Sequence, residues 1–202
     1  MGSEMCIRDS IPVDVYDLGV DMLSASAHKF NGPKGVGFLY IRSGLKVMPY
    51  SDGGAQEFGL RAGTENVAGI VGMAVALKNN CDALEENTRY VEGLASELVG
   101  MLNSSGVKYA MNGGTNRLPG LLSLSFPEFD GEAILHRLDL AGICISTGSA
   151  CNSKSTEISH VLQAIHLGDK YAKGTIRISL GKDNIEDDVE AIFKALMKIF
   201  RV

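Results

Sequence analysis

The chain has 202 residues, 45% of them hydrophobic and 21% charged, with a formal net charge of −5. That is length for one large domain, or one and a half small ones, with a real core. The acidic balance leaves no basic face for neutralising phosphates, which argues against nucleic acid or a membrane surface as the main partner and for small-molecule chemistry or protein contacts.

Residues 1–10, MGSEMCIRDS, show no periodicity and read as a leader or artefact outside the fold. Patterned sequence begins abruptly at Ile11, as though the chain started inside something larger. IPVDVYDLGVDMLSASA at 11–27 alternates loosely and runs into SAHKFNGPKG at 26–35, a glycine-rich turn with a proline in it. VGFLYI at 36–41, β-branched and aromatic and bounded by glycines, predicts a buried strand. Residues 43–66 hold five glycines and one proline with polar groups between them, the composition of a long functional loop.

From Val67 to Leu102 there is no proline, and Val91, Leu94, Leu98 and Met101 recur at helical spacing, so one long or two consecutive helices are expected. The longest apolar run, AGIVGMAVAL at 68–77, is half of the roughly 20 residues that a membrane-spanning helix needs. No secretion signal is recognisable, and a reducing cytoplasm is the default setting.

LLSLSF at 121–126 predicts a strand with Leu122, Leu124 and Phe126 on one face and serines on the other. GEAILHRLDLAG reads as a short helix closed by Gly142. ICIS at 143–146 reads as a second strand, followed by a polar loop and a helix HVLQAIHL capped by Ser159. TIRISL at 175–180 alternates with Ile176, Ile178 and Leu180 inward and Arg177 opposite. Asn184 is expected to cap a last helix with a Val189, Ile192, Phe193, Leu196 stripe and Lys194, Lys198 and Arg201 toward its C-terminal end. From residue 121 onward the order is that of a small α+β domain.

Several side chains carry chemistry. Lys29 precedes Gly32-Pro33-Lys34-Gly35, a turn whose proline and glycines hold backbone rigid and close to a ligand. A lysine amine condenses with a carbonyl only when it is held and partly neutral; by itself the His28-Lys29 pair reads as a solvated turn, and only its context reverses that. The four cysteines are Cys6, Cys81, Cys144 and Cys151, without C-x-x-C spacing or a histidine at metal-ligand distance, so neither a zinc site nor a disulfide framework is expected. Cys151 closes Ser146-Thr147-Gly148-Ser149-Ala150, a setting of small polar residues that keeps a thiol accessible. Cys81 and Cys144 read as buried fillers. Arg177 can present a fork to a carboxylate, or be a solvated strand residue, and Arg61-Ala62-Gly63-Thr64 offers a hydroxyl and backbone amides to a phosphate.

Taken together, SASAHKFNGPKGVGFLYIR, GGAQEFGLRAGTENVAGIVG, STGSACNSKSTEISHVLQAI and TIRISLGKDN, in that order, closely resemble the C-terminal half of a cysteine desulfurase of the NifS/IscS-like branch of the class-V aminotransferases. The resemblance runs from about Ile11 to the C-terminus. It implies the α/β architecture of the PLP-dependent transferase fold type I (aspartate-aminotransferase-like), with the C-terminal part of the large domain at 11–66, a linking helix region at 67–103 and the small α+β domain at 104–202.

By the same resemblance, Lys29 holds pyridoxal 5′-phosphate (PLP) covalently, and Ser26 and His28 contact its phosphate. Thr64 reaches the phosphate of a neighbouring subunit, implying a homodimer. Arg177 clamps the carboxylate of L-cysteine, and Cys151, on a loop like those of the members with a mobile cysteine arm, takes the sulfur as a persulfide. No metal is implied. The acceptor would be an iron–sulfur scaffold protein or a tRNA-thiolating enzyme, with no direct nucleic-acid or membrane contact.

Ile158 stands where members of the family often have proline. The sequence also lacks the family's phosphate-cradling loop, its ring-stacking histidine and its Asp-x-x-Gln pair, so a fragment with weak or no activity alone is expected. A selenocysteine lyase, another class-V aminotransferase, or a non-catalytic docking module for a sulfur acceptor are the alternatives.

Overall fold

The computed structural model describes residues 11–147 and 158–201. The chain divides into two units, Met1–Glu85 and Glu86–Val202, each with its own hydrophobic cluster.

In the first unit, β1 (Met22–Ser26) and β2 (Gly37–Ile41) pair antiparallel, with Ala25 opposite Phe38 and Ser26 opposite Gly37. The far end of the hairpin is closed by Arg42, whose backbone N–H donates to the Asp21 carbonyl at 2.8 Å and whose guanidinium meets the Asp21 carboxylate at 3.2 Å. β1 leads into a single 3-10 turn, Ala27–Phe30. Positions three apart eclipse in such a turn, so Ala27 and Phe30 share one face. Both are fully buried, against Val36 and Phe38 and against Met73, Ala76 and Leu77 of α1 (Val67–Asp82). β2 was expected to be buried, yet Leu39 is 50% exposed, because among the described residues β2 has one strand neighbour, β1.

The helical stretch after Asn66 resolves into two helices, α1 and α2 (Leu84–Ser104), with Ala83 between them. The Asn66 side chain accepts from the Gly69 N–H at 3.1 Å and so starts α1. No helix among the described residues is long and apolar enough to cross a membrane.

The second unit is built on a three-stranded antiparallel sheet, β3 (Ala110–Met111), β4 (Leu121–Ser125) and β5 (Thr175–Ser179), in the order β3-β4-β5. Leu122 lies opposite Ile178 and Leu124 opposite Ile176. Those four side chains are buried with Leu94, Leu98 and Leu102 of α2, Ile134 and Leu138 of α3 (Gly131–Asp139), and Val189, Ile192 and Leu196 of α6 (Glu186–Phe200). Each such aliphatic side chain contributes about 1.5–3 kcal/mol by leaving water. Phe126 and Phe200 stack with centroids 4.6 Å apart at one end of this core.

Several local expectations are corrected. The strand at 143–146 is reduced to one bridge, Ser146 with Arg177: Gly142, at φ 79°, closes α3 through the Gly142 N–H to the Asp139 carbonyl at 2.8 Å, and only the end of the following segment reaches the edge of β5. Cys81 and Cys144 are exposed rather than buried. Ser159 does cap α4 (His160–Ala164), accepting from the Val161 N–H at 3.3 Å, but the helix stops early because His166 takes a left-handed conformation, φ 53°.

The cap of α6 is Ile185, not Asn184. The Asp188 carboxylate accepts from the Ile185 N–H and from Asn184 Nδ2, both at 3.1 Å. A short helix α5 (Asp169–Ala172) and the two-residue β3 were not expected; neither is long enough to carry a periodic signal.

Candidate active site

Ser26, His28 and Lys29 come together where β1 becomes the 3-10 turn. Burial of Ala27 and Phe30 leaves the other faces of the turn to His28 and Lys29; His28 and Ser26 are exposed and Lys29 is half-buried. The Ser26 hydroxyl is not spent on capping the turn.

The turn is held at both ends. The Ala27 N–H donates to the Val36 carbonyl at 2.9 Å, and the Ala27 carbonyl accepts from Asn31 and Gly32 as the chain turns back, Asn31 in a left-handed conformation at φ 63°. The Phe30 carbonyl accepts from the Asn80 side chain of α1 at 2.6 Å. Gly37 closes the arrangement: a Cβ there would stand 2.2 Å from the Ala25 carbonyl oxygen, so only glycine lets the strands meet beside the turn.

Thr64 is exposed on a separate loop of the same unit. Its loop is folded by Arg61, whose guanidinium donates to the Gly63 carbonyl at 2.9 Å and the Thr64 carbonyl at 3.4 Å, and by Gln56, which accepts from the Gly63 N–H at 3.2 Å.

Arg177 lies in β5 of the second unit, between two serines. Ser123 of β4 is its antiparallel partner, and Ser146 pairs with it on the other side through bonds of 2.6 and 3.0 Å. Its Nε is buried and has no hydrogen-bond partner among the described residues. A buried guanidinium N–H without an acceptor is costly. Cys151 lies outside the described residues; Thr147, at the start of its segment, donates its hydroxyl to the carboxylate of Glu132 on α3.

Two polar groups near these residues were not anticipated. Asn80 sits at the register of Met73, Ala76 and Leu77, where a helix of this pattern places an apolar residue; an amide on the apolar stripe is the signal that points to it. Beside Arg177, Asn112 donates to Ser123 Oγ at 3.1 Å and Ser125 Oγ at 2.8 Å, forming a polar face on the sheet that the serine alternation suggested without its partner. A cleft of about 400 Å³ beside α2, lined in part by Glu92, Ser96 and Arg117, contains none of the predicted site residues. Among the described residues no three His, Cys, Asp or Glu side chains converge on a point suited to a metal ion.

The first unit thus carries a lysine on a clamped turn beside a serine and a histidine, and the second an arginine whose buried Nε has no partner among the described residues. The aminotransferase class-V model matches residues 8–192, and the chain belongs to that family. It is 45% identical over 190 residues to the cysteine desulfurase IscS of Dictyoglomus turgidum, which covers 94% of this chain and 48% of that protein.

A solved NifS-like protein, 39% identical, superposes with a TM-score of 0.85 over 96% of this chain and 50% of its own. SspA in complex with cysteine, 33% identical, does so at 0.64 over 90% and 49%. The fold is therefore that of the NifS-like transferases, which are PLP-dependent, and the chain spans about half the length of the curated relatives it matches.

Proposed function

We propose that this chain carries the catalytic lysine, the carboxylate-binding arginine and the sulfur-accepting cysteine of a PLP-dependent cysteine desulfurase, which takes sulfur from L-cysteine and leaves L-alanine and a persulfide on Cys151. The similarity to a cysteine desulfurase along 94% of the chain carries this reading. The clamped turn under Lys29 and the unsatisfied Nε of Arg177 support it from the side of the structure.

The donor set fits the cofactor. Lys29 Nζ would hold PLP, with the Ser26 hydroxyl and the His28 ring toward its phosphate; Thr64 would reach the phosphate of a neighbouring subunit in a homodimer. Bound there, PLP supplies an electron sink next to the α-carbon of the substrate. Arg177 orients that substrate by its carboxylate.

The Lys29 amine takes and returns a proton beside the α-carbon. The thiolate of Cys151 forms a bond to the substrate sulfur while the carbon–sulfur bond breaks, its electron pair staying with the carbon, which is then protonated to give alanine. On this reading residues 11–66 belong to the large cofactor domain, 67–103 to linking helices and 104–202 to the small domain. The persulfide passes in the cytoplasm to an iron–sulfur scaffold or a tRNA-thiolating enzyme.

The test is prolonged incubation of the chain with PLP and L-cysteine, followed by mass spectrometry of the peptide containing Cys151. A persulfide is expected there, absent in Cys151→Ser. An aminotransferase of the same family has no use for that thiol, so an unmodified Cys151 in a chain that has taken up PLP at Lys29 overturns the reading.

A further inference from the structure

Asn80 is 8% exposed on a helix face otherwise given to the core. Asparagine is a poor interior helix residue, and a buried amide is costly unless its hydrogen bonds are made. Both of its N–H donors are used. One goes to the Ala76 carbonyl one turn back at 2.9 Å, which fixes the side-chain rotamer; the other goes to the Phe30 carbonyl at 2.6 Å, fifty positions away.

Phe30 is the last residue of the turn, and the end carbonyls of a short helix have no partner within it. α1 touches this segment at a second place, where Pro33 lies so close to Gly72 that a Cβ on the glycine would be 2.8 Å from the proline Cγ. That second contact is a matter of shape, whereas the Asn80 bond has a direction and ends on the carbonyl immediately after Lys29.

We propose that Asn80 is a positioning residue for Lys29: by tying the Phe30 carbonyl to α1 it fixes the pose of the turn, and so sets which lysine amine reacts with pyridoxal phosphate. The inference rests on the reading of Lys29 as the cofactor lysine. Lys34, exposed five positions on in the same segment, provides an internal reference.

The experiment exposes the chain to PLP, reduces with borohydride, and maps the pyridoxyl-lysine peptides by mass spectrometry. The wild-type chain labels Lys29 in preference to Lys34. In Asn80→Ala the Lys29:Lys34 ratio falls about fivefold, the weight of one net hydrogen bond, while Lys34 labelling and helix content by circular dichroism are unchanged. Asn80→Asp, which keeps the shape and loses both donors, is the second variant and gives the same fall. An unchanged ratio in either folded variant overturns the role of Asn80, as does loss of the fold in both. A wild-type chain that labels Lys29 no more than Lys34 overturns the cofactor-lysine reading itself, and this inference with it.

Discussion

Ser125 and Thr175 face each other across β4 and β5 with their hydroxyl oxygens 2.7 Å apart, Ser125 fully buried and Thr175 nearly so. Thr175 spends its proton on the Tyr171 carbonyl at 2.9 Å, so Ser125 must be the donor between them, and Asn112 in turn donates to Ser125 at 2.8 Å. The chain of bonds runs in one direction and joins β4 and β5 to Asn112, the residue that follows β3. Ser125→Ala leaves the Asn112 amide and the Thr175 hydroxyl short of a partner, at about 1–3 kcal/mol. Denaturant unfolding should show a lower midpoint at unchanged slope. The double variant with Thr175→Val should cost less than the sum of the two single changes, because the second change removes a group that the first has already stranded.

Gly37→Ala is expected to reach Lys29 through the backbone. The added methyl cannot fit 2.2 Å from the Ala25 carbonyl, so the β1–β2 pair must part at the Ser26 end, where the lysine turn begins. Overpacking of this kind costs about 1–3 kcal/mol. The expected result is a lower thermal midpoint, faster amide exchange at Ala27 and reduced pyridoxyl labelling at Lys29. Unchanged exchange at Ala27 would show that the hairpin does not support the turn.

The sequence made the second unit's core legible because β4 and β5 alternate strictly and α6 keeps its stripe, and these are the patterns that burial on one face imposes. The segment at 143–146 looked like a strand for the same reason, being apolar, but strand identity needs a partner along its length, and only Ser146 finds one. Lys29 is a weak signal in its turn alone and is singled out by the ordered motifs downstream of it. Asn80 is not, since its importance lies in a bond to a carbonyl fifty positions away, which no local pattern encodes. The misplaced cap of α6 has a similar origin: Asn184 is a good capping residue in composition, yet its side chain is occupied by the Gly181 N–H and by Asp188.

Asp188 gives α6 a dependence on acid. The hydrogen bond from Asn184, and then that from the Ile185 N–H, hold its pKa below the ordinary value. A carboxylate depressed in the folded state adds stability that is complete above its unfolded pKa and is lost as the pH falls through the folded one. Between neutral pH and about 5, Asp188→Ala should therefore be less stable than wild type by a constant amount, and the difference should shrink as the pH falls below about 4. Thermal melts across that range, followed by helix signal, check the sign; a difference that grows toward low pH would be incompatible with the hydrogen bonds seen here.

Turnover is expected to be far harder for this chain than formation of a single persulfide. On the proposed reading Lys29, Ser26 and His28 would offer a covalent anchor and phosphate contacts, but a good electron sink also needs an acid held against the pyridine nitrogen and a ring stacked on its face. The 202 residues contain no Asp-x-x-Gln sequence to engage that nitrogen. Purified with PLP and given L-cysteine, the chain should release sulfide and alanine, in the presence of a thiol reductant, at rates little above those of free PLP and of Cys151→Ser. Binding can be followed separately from chemistry through pyridoxyl labelling of Lys29, so weak labelling with proportionally weak turnover would place the deficit in cofactor affinity. Full labelling with negligible turnover would place it in the electronics of the ring, and brisk multiple turnover would show that the residues of this chain suffice for the whole reaction.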